Sequence, residues 1–178
     1  MTLLTSDLTY LTIAGGCAAT GSVFDVKSRR IPNFITLPSF VFGLLLHLTL
    51  GGWRQFLSSL GAGLLCGLVF LVFYVAGGMG AGDVKLMAAV GSIAGLPHVA
   101  YLLALTAISG GVMAVGLALA RGRLQQTIMN VGELAAHHSH QGLAPHPDLN
   151  IGNAQTLRLP YGLAIAAGSI LTLYFQVA

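Results

Sequence analysis

Five acidic side chains are spread over 178 residues: Asp7, Asp25, Asp83, Glu133 and Asp148. Two carboxylates held a few ångströms apart cannot both ionise cheaply, so they share one proton. Such a pair can hydrolyse an amide. The charged member takes a proton from attacking water, the protonated member donates to the carbonyl oxygen, and the proton later reaches the leaving amine. That chemistry needs no metal and no cofactor. Asp7 lies near the amino-terminal end, and Glu133 and Asp148 belong to the one sizeable polar segment, where solvated charges account for them. Asp25 and Asp83 remain: the first closes an apolar run and the second opens another. Carboxylates in apolar segments are costly, and this chain keeps two where it has few others. Each also has a plain structural use. Asp83 can cap the helix that follows it, and Asp25 can pair with Lys27 or Arg29 at the surface.

The elements that must position this pair are apolar. Hydrophobic residues make up 55% of the chain and charged residues 7%, with a mean hydropathy of +0.82. Soluble domains carry about 25% charged residues, so an ordinary soluble globule is excluded. The 24 glycines show no period of three, and there are only two cysteines, which excludes a collagen-like repeat and a disulfide scaffold. Cys17 and Cys66 lie inside apolar runs and read as small packing residues. The basic residues are scattered between apolar runs and form no stripe, so no nucleic-acid partner is expected.

The pattern predicts an all-α, polytopic membrane protein, a single domain over residues 1–178 with about six transmembrane helices. The first, Leu8 to Phe24, follows a stretch without Lys or Arg, unlike a cleaved signal peptide, and reads as a retained helix. The second and third, Phe34 to Leu50 and Phe56 to Gly78, are separated by Gly51-Gly52-Trp53-Arg54. Leu86 to Ala120 is uncharged, and as one helix it would be about 52 Å long, against about 30 Å of bilayer hydrocarbon. It must turn, and Leu96-Pro97-His98 is the place. Helix four is then short, Val84 to Leu96, and helix five is Val99 to Ala120. Leu159 to Val177 supplies helix six. With the amino terminus outside, Lys27, Arg29, Arg30, Lys85, Arg121, Arg123 and Arg158 fall on the cytoplasmic side and Arg54 falls outside, as the positive-inside rule requires. An even number of crossings separates Asp25 from Asp83, so both face the cytoplasmic leaflet.

Residues 121–158 form an insertion between helices five and six. Leu124, Ile128, Val131 and Leu134 or Ala135 recur at helical spacing, which predicts an amphipathic helix on the cytoplasmic face. His137-His138-Ser139-His140 to Pro147-Asp148 reads as a mobile loop. Its histidines carry no accompanying carboxylate or cysteine pattern, so no metal site is assigned.

Before Asp83 the chain reads Gly77-Gly78-Met79-Gly80-Ala81-Gly82, four glycines in six residues. They remove bulk where a substrate backbone would approach. No Gly-Lys-Ser or Gly-Lys-Thr follows, so this is not a phosphate loop. Gly80-Ala81-Gly82-Asp83, with Lys85-Leu86 behind it, resembles the GxGD signature of intramembrane aspartyl proteases, specifically type IV prepilin peptidases. Asp25-Val26-Lys27 with Arg30-Ile31-Pro32-Asn33 resembles that family's other aspartate motif. The likeness runs from about Thr20 to Gly91, and Leu159-Pro160-Tyr161-Gly162 opens a third motif in the last helix.

The resemblance implies Asp25 and Asp83 as catalytic residues, with Gly80, Gly82, Lys85, Lys27, Pro160, Tyr161 and Gly162 as active-site loop and support. It implies no cofactor and no metal. The substrate would be a prepilin or pseudopilin with a short basic leader ahead of an apolar helix, cut by a multi-pass protein of the bacterial inner (cytoplasmic) membrane within the lipid bilayer. Oligomeric state is not legible. The chain begins at a membrane helix and has no Cys-x-x-Cys pair, so methyltransferase activity is not expected. Its compact size is similar to the peptidases of Flp or Tad-type pilus systems. Leu163 stands where relatives often have proline.

Two other classes compete. In a proton-coupled transporter or channel the aspartates would be relay groups, yet both lie toward one face where a transport site sits near the midplane. In a non-enzymatic assembly factor the glycines would only pack helices, as Gly63 with Gly67 and Gly91 with Gly95 suit. That leaves the paired acids unexplained.

Overall fold

The computed structural model describes residues 2–147, 149–150 and 159–177, and among these the regular structure is entirely helical. Six α-helices follow in order: α1 (Thr2–Ser28), α2 (Asn33–Val75), α3 (Ala81–Ala94), α4 (Val99–Ala120), α5 (Leu124–Gln141) and α6 (Tyr161–Val177). A 3-10 turn, Leu96–His98, joins α3 to α4.

As one rod α2 would be about 65 Å long. It is instead two limbs, because Gly52 leaves helical geometry with φ 69° and ψ −165°, a region open to glycine and closed to most side chains. The limbs fold back on each other. Gly43, before the break, and Gly63, after it, both approach Ser92 of α3: a Cβ on Gly43 would stand 2.7 Å from Ser92 Oγ, and one on Gly63 3.0 Å from Ser92 Cβ. The glycine pair that separates helices two and three in the sequence is thus the tip of a hairpin.

The expected turn near Pro97 is present, and Gly95 makes it. Gly95 has φ 83° and ends α3, after which the 3-10 turn leads into α4. Helix four starts three residues before its expected limit, at Ala81, so Asp83 sits in its first turn.

Helix α3 is the axis of the molecule. Leu86, Met87, Ala89, Val90, Gly91, Ser92, Ile93 and Ala94 are all buried, enclosed by α1, both limbs of α2 and α6. Helix α6 packs between α1 and α4. Outward-facing residues are just as apolar: Phe34, Leu37, Leu64, Leu68, Val112 and Tyr174 are exposed. Two helical stretches, Asn33–Val75 and Leu96–Ala120, are long and apolar enough to cross a membrane, and Tyr161–Gln176 is a shorter apolar helix. A helix apolar all round belongs inside a protein or in lipid. Lipid is as apolar as leucine, so cohesion between such helices rests on close packing and hydrogen bonds. Both are present. Ser59 Oγ donates to Ser92 O at 2.7 Å, His47 Nε2 contacts Ile93 O at 3.0 Å, and a Cβ on Gly91 would meet Cys66 Sγ at 2.7 Å. Cys66 is fully buried in that contact, and both cysteines are free.

The His-bearing segment departs from expectation. His137, His138 and His140 lie in α5, which runs to Gln141 and stops at Gly142, with φ 65°. Among the four histidines only His146 lies beyond the helix. Its side chain is built into a turn: Nδ1 accepts from Leu149 N at 3.1 Å and Nε2 lies 3.5 Å from Glu133. Among the described residues no cluster could hold a metal ion. Asp148 and Arg158 lie outside the described residues.

Candidate active site

Asp25 sits one turn from the end of α1 and Asp83 in the first turn of α3. The α2 hairpin between them returns the chain to its starting level, so both carboxylates come to one end of the bundle. They are close enough for the charge of Asp25 to act on Asp83.

The start of α6 joins them. Gly162 N donates to Asp25 Oδ2 at 2.9 Å. The preceding residue, Tyr161, lies within electrostatic reach of Asp83. The first N–H groups of a helix lack partners inside it and carry its positive dipole end. Asp25, from a distant helix, therefore caps α6 and has its negative charge supported there. No ion pair joins Asp25 to Lys27 or Arg29 among the described residues, so the surface-pair reading does not describe it. A Cβ on Gly162 would stand 3.0 Å from both Cβ and Oδ2 of Asp25, so only glycine lets the two backbones come this close.

Asp83 does cap its own helix. Gly80 N donates to Asp83 Oδ2 at 3.1 Å. That accounts for one oxygen. Asp83 is 8% exposed, and its Oδ1 is buried with no hydrogen-bond partner among the described residues. Buried carboxylate oxygens are costly to leave so, and a catalytic role is one of the explanations such an exception admits. Capping alone gives none.

The supporting residues divide. Lys85 Nζ donates to Asn33 Oδ1 at 2.9 Å, tying the first turn of α3 to the first residue of α2. Gly82 gives its space to the protein itself, since a Cβ there would lie 3.2 Å from Ile31 Cβ. The Ile31-Pro32-Asn33 stretch thus lies across the glycine segment, and Ile31 is buried. Gly77 makes the turn out of α2 with φ 79°, against Pro145 and Asn150 of the segment after α5. Lys27 is exposed on the last turn of α1. Pro160, Tyr161 and Gly162 open α6 as described. Sequence reasoning missed Asn33 as the partner of Lys85, and Pro145 with Asn150 as the backing of Gly77. The Asn33 position stood inside a quoted motif, whereas nothing in the spacing marks Pro145 or Asn150.

Residues 12–115 match the type IV leader peptidase family. The chain belongs to that family. The match takes in both aspartates, the α2 hairpin and α3, and ends before α6. No curated protein and no solved structure matches the chain. Membership makes it a peptidase of the membrane, in accord with its apolar helices.

Proposed function

We propose that this leader peptidase is a membrane-embedded aspartic endopeptidase with Asp25 and Asp83 as its catalytic pair. It removes the short basic leader of type IV prepilins or pseudopilins at the cytoplasmic face of the bacterial inner membrane, for pilus or secretion-system assembly. The observation that carries this reading is Asp83 Oδ1, buried and without a hydrogen-bond partner among the described residues, on a carboxyl within electrostatic range of Asp25. Capping and surface pairing leave that arrangement without a use, and a shared-proton pair uses it directly.

In this mechanism Asp25, supported by the Gly162 N–H at the amino-terminal end of α6, is the member suited to carry the charge and take a proton from water. Asp83 donates to the carbonyl oxygen of the scissile bond. The proton taken from water then reaches the leaving amine, and the pair returns to its shared-proton state. Tyr161 lies within electrostatic reach of Asp83. The topology that suits this reading has six crossings, α1, the two limbs of α2, α3, α4 and α6, with the amino terminus outside. Lys27, Arg29, Arg30, Lys85, Arg121 and Arg123 then share the cytoplasmic side. A basic leader stays on that side while the apolar helix behind it enters the bilayer, so the bond to be cut meets the carboxylates at their own depth.

The test is cleavage of a co-reconstituted prepilin by wild type, Asp25→Asn and Asp83→Asn, each checked for membrane insertion. Asparagine keeps the size and removes the shared proton. Loss of cleavage in both variants with insertion intact is expected. Cleavage surviving in either would reduce that aspartate to a cap and reopen the transporter and scaffold readings.

A further inference from the structure

Helices α1 and α2 meet through two aromatic pairs, and between these Cys17 and Ser39 come within reach of each other. Near the outer end Tyr10 stacks on His47 with ring centroids 4.0 Å apart, and near the inner end Phe24 meets Phe34 edge-on at 5.9 Å. These aromatic pairs stand about 21 Å apart along α1. Between them lies a groove of about 520 Å³, open on one side, walled by Gly16, Cys17 and Thr20 of α1 and by Ser39 and Phe42 of α2, and floored by Ile93.

We infer that this groove seats the apolar helix that follows the cleaved bond of the substrate. The inference rests on the peptidase reading and extends it to where the uncut helix lies. Small residues stand on both walls, which is what lets a third helix bring its backbone close in a bilayer. A Cβ on Gly16 would meet nothing within 4 Å, so the space is unused by the protein's own side chains. The polar atoms are few and largely satisfied: Thr20 Oγ1 donates to Gly16 O at 2.8 Å, and the Cys17 thiol and Ser39 hydroxyl lie within reach of each other. The groove therefore asks for an uncharged, apolar occupant.

Its inner end leads to the carboxylates. Phe24 lies one turn beyond Thr20, the last groove residue of α1, and Asp25 is the next residue, turned about 100° round the helix. A scissile bond must leave helical hydrogen bonding to be cut, and an extended segment covers about 3.3 Å per residue. Three or four unwound residues ahead of the docked helix thus reach round α1 to Asp25 once the Phe24–Phe34 contact parts. An acyl chain could occupy the same space, but nothing about it would require the groove to end beside the catalytic pair.

Cys17 makes the proposal testable. In a Cys66→Ala, Asp25→Asn background it is the single thiol, and a prepilin carrying one cysteine at successive positions of its apolar helix is co-reconstituted and oxidised. Crosslinks recurring every three to four residues, on one face of the substrate helix, are expected. Uniform absence of crosslinks while Cys17 reacts with a lipid-soluble maleimide, or crosslinks without helical spacing, would overturn the inference. A second readout uses active protein. Gly16→Leu fills the groove, and the ratio of kcat/KM for full-length prepilin to that for a short soluble peptide spanning the cleavage site should fall about tenfold or more. Gly116→Leu, the same change at an exposed glycine of α4, should leave that ratio at the wild-type value. An unchanged ratio in Gly16→Leu would count against the groove, while cleavage itself would leave the peptidase reading standing. Crosslinking needs no turnover, so failure of Asp25→Asn and Asp83→Asn to abolish cleavage would sink the peptidase reading by a separate result.

Discussion

Gly162→Ala should separate catalysis from folding at this site. The added Cβ would stand 3.0 Å from Asp25 Cβ, 3.0 Å from Asp25 Oδ2 and 3.1 Å from Ser22 Cα. Carbon atoms rest at about 3.5–4.0 Å, so the start of α6 must retreat from α1 by about 0.5 Å. That retreat lengthens the Gly162 N to Asp25 Oδ2 hydrogen bond beyond its present 2.9 Å. Two effects on stability oppose each other: overpacking costs about 1–3 kcal/mol, and alanine in place of glycine within a helix returns about 1 kcal/mol. The net change in stability is therefore modest. Nothing offsets the loss at the carboxylate. A hydrogen bond to a charged group contributes about 1.5–3 kcal/mol, and a misplacement near 1 Å costs about 100-fold in rate. A tenfold to 100-fold fall in kcat is expected, on the order of half to all of that loss. The assay is the initial rate of prepilin cleavage in liposomes, with thermal unfolding followed in parallel and Gly116→Ala as a control at an open position of α4. Wild-type turnover in Gly162→Ala, with α6 in place, would refute the claim that Asp25 is set by the start of α6.

Three further outcomes are expected. The pH profile of kcat/KM should fall on both sides of an optimum, because one carboxyl must be charged and the other protonated, and the two limbs belong to the pair; a plateau extending through either limb would contradict a shared proton. Gly168→Ala should unseat α6 from α4, since its Cβ would lie 2.6 Å from Thr106 Cα and N, backbone that cannot give way. A loss of about 1–3 kcal/mol or more in detergent unfolding is expected, together with lost cleavage, because α6 carries Gly162; Thr106→Gly should not rescue it. Lys85→Met and Asn33→Ala should each weaken the tie between α3 and α2, and a double-mutant cycle should give a coupling of about 0.5–1.5 kcal/mol; additive effects would mean that their 2.9 Å contact holds nothing.

How much of this was readable in the sequence depended on whether the physics was local. The hairpin at Gly52 and the turn at Gly95 to His98 were legible, because an apolar run longer than a bilayer must bend and glycine or proline marks the place. That Asp25 and Asp83 would come to one end of the bundle was legible as well, since an even number of crossings separates them. The central position of α3 was not: its composition matches that of its neighbours, and what sets it inside is the fit of Gly43, Gly63 and Gly91 against residues distant in sequence. The end of α5 was misplaced for a different reason. Apolar periodicity stops near Ala135 while backbone hydrogen bonding does not, and the polar histidine turn stays helical until Gly142 takes φ 65°. A glycine just past a helix is a stop signal in its own right, and weighing it above the loss of periodicity would have carried the helix to its end. The same contrast governs the candidate active site. Gly80 and Gly82 looked like room for a substrate backbone, yet Gly82 is filled by Ile31 and Gly80 serves the carboxylate of Asp83. Small residues in a membrane chain report close approach without saying of what, and only the partner across the gap decides between packing and binding. Gly162 answers to Asp25 and Gly91 to Cys66, whereas Gly16 meets nothing within 4 Å and, unlike the equally open Gly116, lines the groove between α1 and α2. That difference is why the space beside Gly16 is assigned to the substrate and the others to the fold.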